Sequence, residues 1–160
     1  MVLINKSGDA MLYIIGQTKY WLNEKGDDIH LYINDELIHI FKRPIYPASL
    51  TIVDEHTLYC WFCTRLAKIQ NKRVVMEYDE ENEMRAIFIV NDEMAILVTE
   101  LSIMWRSLAD WSKLYEYDHY DVILEYKIIA FNKVYIKDFD GVEYLVNLNG
   151  HVKKLDAKFM

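Results

Sequence analysis

A short pattern occurs three times along this chain. It reads Gln17-Thr18-Lys19, then Gln70-Asn71-Lys72, then Phe131-Asn132-Lys133. Each copy opens an apolar run: Tyr20-Trp21-Leu22, Val74-Val75-Met76 and Val134-Tyr135-Ile136. A polar turn, a second apolar run and a second turn at Asn34-Asp35, Asn91-Asp92 or Asn149-Gly150 follow, and a further apolar run closes each copy. Gly, Asn and Asp tolerate the backbone angles that tight turns require. Strands joined by turns this short must pair antiparallel. The pattern therefore predicts three β-meanders, over about 11–42, 73–98 and 121–155.

The segments between copies read with a different period. In Thr99–Tyr115, the residues Leu101, Met104, Trp105, Leu108, Trp111 and Tyr115 recur at helical spacing, which predicts an amphipathic helix at about 100–115 with Thr99 or Ser102 as its cap. Asp54–Asn71 carries Leu58, Trp61, Phe62, Leu66 and Ile69 on one helical stripe behind Asp54, and a buried strand around Thr57–Cys63 fits it too. The fold expected is α+β, predominantly antiparallel β, with one or two helices between the meanders.

The meanders resemble propeller blades, which are four-stranded meanders repeated at about 40–50 residues. Three units are fewer than the usual four or more blades of a ring, so a propeller would need a second copy of the chain. A propeller-like or barrel-like all-β fold is the alternative. Pro is nearly absent, with only Pro44 and Pro47, and no flexible linker interrupts the sequence. A single domain over 1–160 is expected.

Composition narrows the classes. The chain is 52% hydrophobic and 14% aromatic, too apolar for intrinsic disorder. No apolar run approaches the roughly 20 residues that cross a bilayer, and the first six residues lack the form of a signal peptide. Two cysteines make no disulfide framework. A cytoplasmic protein is expected, and abundant Ile, Lys, Asn and Tyr suit an AT-rich bacterial or viral coding sequence. Charge is uneven: residues 77–125 hold 13 Asp and Glu against Arg85, Arg106 and Lys113, while the remainder holds 12 acids and 15 bases. Such a field repels nucleic acid and draws in basic partners.

Motifs for chemistry are few. Cys60-Trp61-Phe62-Cys63 has redox spacing but lacks the proline loop and βαβ context of a thioredoxin site. On a helix, His56, Cys60 and Cys63 would share a face and form a weak zinc candidate, short of a fourth ligand from His30, His39, His119 or His151. Asp138-Phe139-Asp140-Gly141 superficially resembles a calcium loop, yet position 147 is Asn where that loop needs an acid. No phosphate-binding glycine loop and no nucleophile turn occurs, so no cofactor is expected and a binding role is favoured over an enzyme.

The most unusual stretch is Tyr115-Glu116-Tyr117-Asp118-His119-Tyr120-Asp121, three tyrosines and three acids in seven residues. Tyrosine buries much area at little entropic cost and keeps a hydroxyl for bonding, which suits an interface. Tyr115, Glu116, Tyr117, Asp118, Tyr120 and Asp121 are the expected partner-binding residues, facing a basic protein. Bacterial immunity and phage counter-defence proteins are inhibitors of this general kind. A small-molecule pocket or enzyme in a curled sheet, and a homo-oligomeric structural subunit, are the alternatives.

Overall fold

A computed structural model of the protein describes residues 2–7, 10–42 and 48–155. The described residues form seventeen strands and no helix, which overturns the expected α+β class. Four antiparallel meanders replace the expected three. The first sheet holds β1 (Val2–Ser7), β2 (Ala10–Ile15), β3 (Thr18–Lys25), β4 (Asp28–Ile33) and β5 (Glu36–Lys42). The second holds β6 (Ser49–Ile52), β7 (Thr57–Phe62), β8 (Arg65–Gln70) and β9 (Arg73–Asp79). The third holds β10 (Met84–Ile89), β11 (Met94–Thr99), β12 (Ser102–Ser107) and β13 (Lys113–Asp118). The fourth holds β14 (Ile123–Ala130), β15 (Lys133–Asp138), β16 (Glu143–Asn147) and β17 (Val152–Lys154). Strands follow chain order within every sheet.

The segment read as helical, 99–115, and the segment 54–71, which fitted helix and strand alike, are both built of strands. Residues 99–115 contain β12 and the first half of β13, and residues 54–71 contain β7 and β8. The reason is burial on both faces. From Ser102 to Arg106 every side chain of β12 is buried, so the apolar run loses the period of two that marks a half-exposed strand. The supposed caps use the same local chemistry for another purpose. Thr99 Oγ1 accepts from the Ser102 amide at 2.9 Å and closes the β11–β12 turn. Asp54 Oδ1 accepts from the His56 amide at 2.8 Å and closes the β6–β7 turn. Side chains that cap helices also close turns, because both tasks offer an oxygen to an amide two or three residues on.

The true repeat is carried by the backbone. In each sheet, one amide in the last hairpin turn donates to a carbonyl at the turn two strands earlier: Asn34 to Lys19 at 2.8 Å, Asn71 to His56 at 2.9 Å, Leu108 to Glu93 at 2.9 Å and Leu148 to Asn132 at 2.9 Å. The donors stand 37, 37 and 40 residues apart. That period differs from the 53 and 61 residues between copies of the sequence pattern. The first and third copies do occupy equivalent hairpins, β2–β3 and β14–β15. The second begins at the last turn of one sheet, β8–β9, and runs into the first turn of the next, β10–β11.

The chain divides into two compact units, Met1–Glu80 and Glu81–Met160. In the first, alternating residues such as Ile29, Leu31 and Ile33 of β4 meet Leu58 and Cys60 of β7 and Ile69 of β8 in one apolar core. In the second, Ile96, Val98, Ile103 and Trp105 meet Ile123, Val134, Ile136 and Val146. Each core joins two sheets by their alternating inward faces, as sheet packing requires.

Candidate interaction surface

The hairpin register of the third sheet gathers separated acids at one end. Ser102 pairs with Asp118 and Met84 with Thr99. The Glu100 amide donates to the Glu83 carbonyl at 2.9 Å, and the His119 amide to the Leu101 carbonyl at 2.7 Å. Glu81, Glu83, Glu100, Asp118 and Asp121 therefore share this end, although they span 41 positions of sequence. The crowding is felt electrostatically. The Asp118 carboxyl is pushed above the usual range by its hydrogen bond with Glu116, by burial and by the charges of Glu116 and Glu81. Glu116 is held low, chiefly by its hydrogen bond from Lys113, with which it also forms an ion pair.

Beneath the acids lies a buried polar network. Tyr117 Oη and His119 Nδ1 are 2.6 Å apart, and His119 Nε2 is 3.0 Å from Asp138 Oδ2. The Tyr120 hydroxyl donates to the same Asp138 oxygen at 3.3 Å and lies 3.0 Å from the Tyr144 hydroxyl. The other oxygen, Asp138 Oδ1, accepts from the Val142 amide at 2.9 Å. His119 and Asp138 are shielded from water, and buried polar groups are tolerated only when so partnered. Burial alone would raise the Asp138 carboxyl. The bonds from His119, the Val142 amide and Tyr120, with the charge of His119, outweigh it and hold the carboxyl low. The network ties β13 and the connection after it to the β15–β16 turn, assisted by the Phe139 amide donating to the Val122 carbonyl at 2.9 Å.

Two aromatic side chains emerge above this network. Tyr120 is 71% exposed and Phe139 is 69% exposed. Tyr120 is nonetheless anchored by its hydroxyl, and its bond to Tyr144, with burial and the charge of Asp138, raises its pKa. Exposed aromatics on a fixed base, ringed by carboxylates, can stack on and pair with long cationic side chains.

The expected residues are partly brought together here. Asp118 and Tyr120 are exposed at the sheet end, and Asp121 is half-buried beside them. Tyr115 instead packs against the core, its ring 5.8 Å from Trp105. Glu116 is occupied by Lys113, and Tyr117 belongs to the buried network. The segment 138–141, outside the expected partner-binding residues, supplies both Asp138 and exposed Phe139. No pattern in the sequence pairs His119 with a residue 19 positions away.

The zinc candidates are not assembled. His56 lies in the exposed β6–β7 turn, Cys60 is buried within β7, and Cys63 takes a positive φ of 51° in the next turn. Cys60 and Cys63 are both free thiols. Burial pushes the Cys60 thiol up, away from the thiolate a metal needs. Among the described residues no cluster of His, Cys, Asp and Glu has metal-binding geometry, and no helix is long and apolar enough to cross a membrane.

No protein-family model and no curated protein matches the chain. Solved structures do. The crystal structure of the WD40 beta propeller domain of Doa1 aligns with a TM-score of 0.54 over 93% of this chain and 72% of that chain, at 9% identity. The four antiparallel meanders with their repeat of 37–40 residues are thus similar in fold to a WD40 β-propeller domain.

Proposed function

We propose that this chain is a protein-interaction module that receives a basic partner on the acidic, aromatic end of β10–β13. The observation that carries this reading is the pair of exposed rings, Tyr120 and Phe139, standing over a rigid hydrogen-bonded base beside Asp118, Asp121 and Glu100. Interfaces concentrate their binding energy in such aromatic anchors, while a charged rim sets orientation and association rate. The propeller-like scaffold supports the same reading, since sheets of this kind present rigid loops. Residues 81–125 contribute ten acids against three bases, whereas 126–160 hold four acids and six bases. The acidic field is therefore confined to the third sheet and its connections. Inhibition of a basic target in the cytoplasm, as an immunity protein acts, is the specific form we favour.

A photo-crosslinking phenylalanine analogue in place of exposed Phe139, introduced in the cells that make the protein, tests this. The expected adduct is with a basic protein, captured less after Asp118→Lys with Glu81→Lys and after Tyr120→Ala, with an unchanged circular dichroism spectrum. Adducts dominated by acidic proteins, or capture indifferent to these substitutions, would overturn the reading.

A further inference from the structure

Among the described residues, each sheet ends in strands with one unpaired edge. Such an edge offers amides and carbonyls to any extended strand that reaches it. One of these edges carries charges in a pattern that matches itself. Strand β14 holds Glu125 and Lys127, two positions apart and both exposed. None of the other outer strands, β1, β5, β6, β9, β10, β13 and β17, holds an acid and a base at this spacing. Glu125, Tyr126, Lys127 and Ile128 pair with Lys137, Ile136, Tyr135 and Val134 in unbroken register, and a bulge interrupts the ladder on each side. Within this run the alternation holds. Tyr126 and Ile128 pack on the core of the second unit, so Glu125 and Lys127 share the opposite face. The flanks are open to solvent: Leu124 is 52% exposed and Ile129 50%. Ala130, with almost no side chain to project, is exposed as well.

We infer that this edge pairs with a second copy of the chain, β14 against β14 about a twofold axis, and that Glu125 and Lys127 set the register. Two like strands related by such an axis run antiparallel. Opposite residues must point to the same side of the sheet, so the axis passes between a residue and its own copy. The centres that remain differ in charge. An axis at Glu125 sets Glu125 against itself, and one at Lys127 sets Lys127 against itself; like charges directly opposite are destabilising. An axis at Leu124 or Ile128 sets Glu125 against an apolar residue and gains no Glu–Lys pair. An axis at Tyr126 sets Glu125 against Lys127 of the second copy and Lys127 against its Glu125, two opposite-charge pairs at once. It also brings Leu124 of each copy beside Ile128 of the other and covers exposed apolar surface. The bulges bound the contact, so it is short and the dimer is expected to depend on concentration.

Sedimentation equilibrium of the full-length protein, from about 1 μM to about 1 mM, spans the affinities of weak contacts and is the test. A monomer–dimer equilibrium is expected. Glu125→Lys and Lys127→Glu each oppose like charges twice, and each should weaken the dimer by about tenfold or more, the scale of two cross-strand pairs turned repulsive. The double variant, Glu125→Lys with Lys127→Glu, exchanges the charges and should restore it. Mixed together, the two single variants should form a heterodimer, since each then meets the opposite charge. Both residues are exposed, so the variants should keep the wild-type circular dichroism spectrum and melting temperature. Should Glu125→Lys fail to fold beside Lys137, Lys127→Glu, which stands opposite Tyr135, still decides. A monomer throughout this range, a dimer undiminished by Lys127→Glu, or natively folded single variants that fail to pair when mixed would overturn the inference.

Discussion

The two units are built alike and finished differently. Each stacks two antiparallel meanders on an apolar core. In the second unit the end of the meander pair is locked by His119, Asp138 and three tyrosines. In the first, one such tie is the Tyr20 hydroxyl donating to the Glu55 carbonyl at 2.5 Å. The charged residues differ in the same way. Arg65, the first residue of β8, makes no ion pair among the described residues and lines an open cavity. Glu143, the first residue of β16, accepts a hydrogen bond from Tyr135 at 2.5 Å, which with burial lifts that tyrosine to about 12. One architecture therefore yields a rigid acidic platform in one unit and an open mixed-charge cleft in the other. The scaffold constrains where side chains stand, and the residues at strand ends decide what they do.

The largest expected effect breaks the lock of the second unit. Asp138→Ala leaves His119 Nε2 buried without its carboxylate partner and removes the closure of the β15–β16 turn. A loss of about 3–5 kcal/mol is expected on the scale of broken buried pairs, read by urea denaturation. A loss below about 1 kcal/mol would show that the network is dispensable. The same residue sets an acid sensitivity. Because its folded pKa lies below its unfolded value, Asp138 contributes stability above the unfolded value, near pH 4, and that contribution disappears as pH falls through the folded value. Stability measured between pH 6 and pH 2 should fall less steeply in Asp138→Asn than in wild type.

In the first unit, Tyr20→Phe removes one hydrogen bond to a carbonyl and should cost about 1 kcal/mol, well below the Asp138 effect. The smallest expected change has the opposite sign. Asp121 Oδ2 is shielded and has no hydrogen-bond partner, while Oδ1 accepts from the Val122 amide at 2.8 Å. Asp121→Asn keeps the second contact and removes one negative charge from the crowded acidic end. A gain of about 0.5–1 kcal/mol is expected, alongside weaker capture of a basic partner. Such an exchange of stability for binding is common at functional positions. Destabilisation by this substitution would instead assign Asp121 a structural role.

Hairpins were legible in the sequence because their information is local. Asn34-Asp35 and Asn71-Lys72 have positive φ at both positions, the geometry of tight hairpin turns, and Asn, Asp and Gly populate it readily. Gly141 and Gly150 do the same at 81° and 91°. Asp118 was legible as a surface residue because acids seldom sit in a core, whereas nothing local separates exposed Tyr120 from half-buried Tyr115 and Tyr117. Strands β8 and β12 were not, and β7 fitted strand and helix alike, because burial on both faces erases the alternation that betrays a strand, leaving an apolar run that a helix fits equally well. The repeat was misplaced for a related reason. Its constant element is a backbone hydrogen bond, which any residue can make and which therefore leaves no fixed letters.

The sequence by itself determined where the chain turns, that neighbouring strands run antiparallel, and that negative charge concentrates between residues 77 and 125. Each rests on a residue's own backbone preference or charge. Tertiary structure alone decided that 54–71 and 99–115 are strands rather than helices, that His119 meets Asp138, and that Arg65 and Glu77 face His39 across a cleft. Those outcomes depend on which sheet faces cover which, and on a ladder register that brings together residues 12 to 38 positions apart. Contacts of that range are selected by burying apolar area in the assembled sheets, a quantity no local window contains.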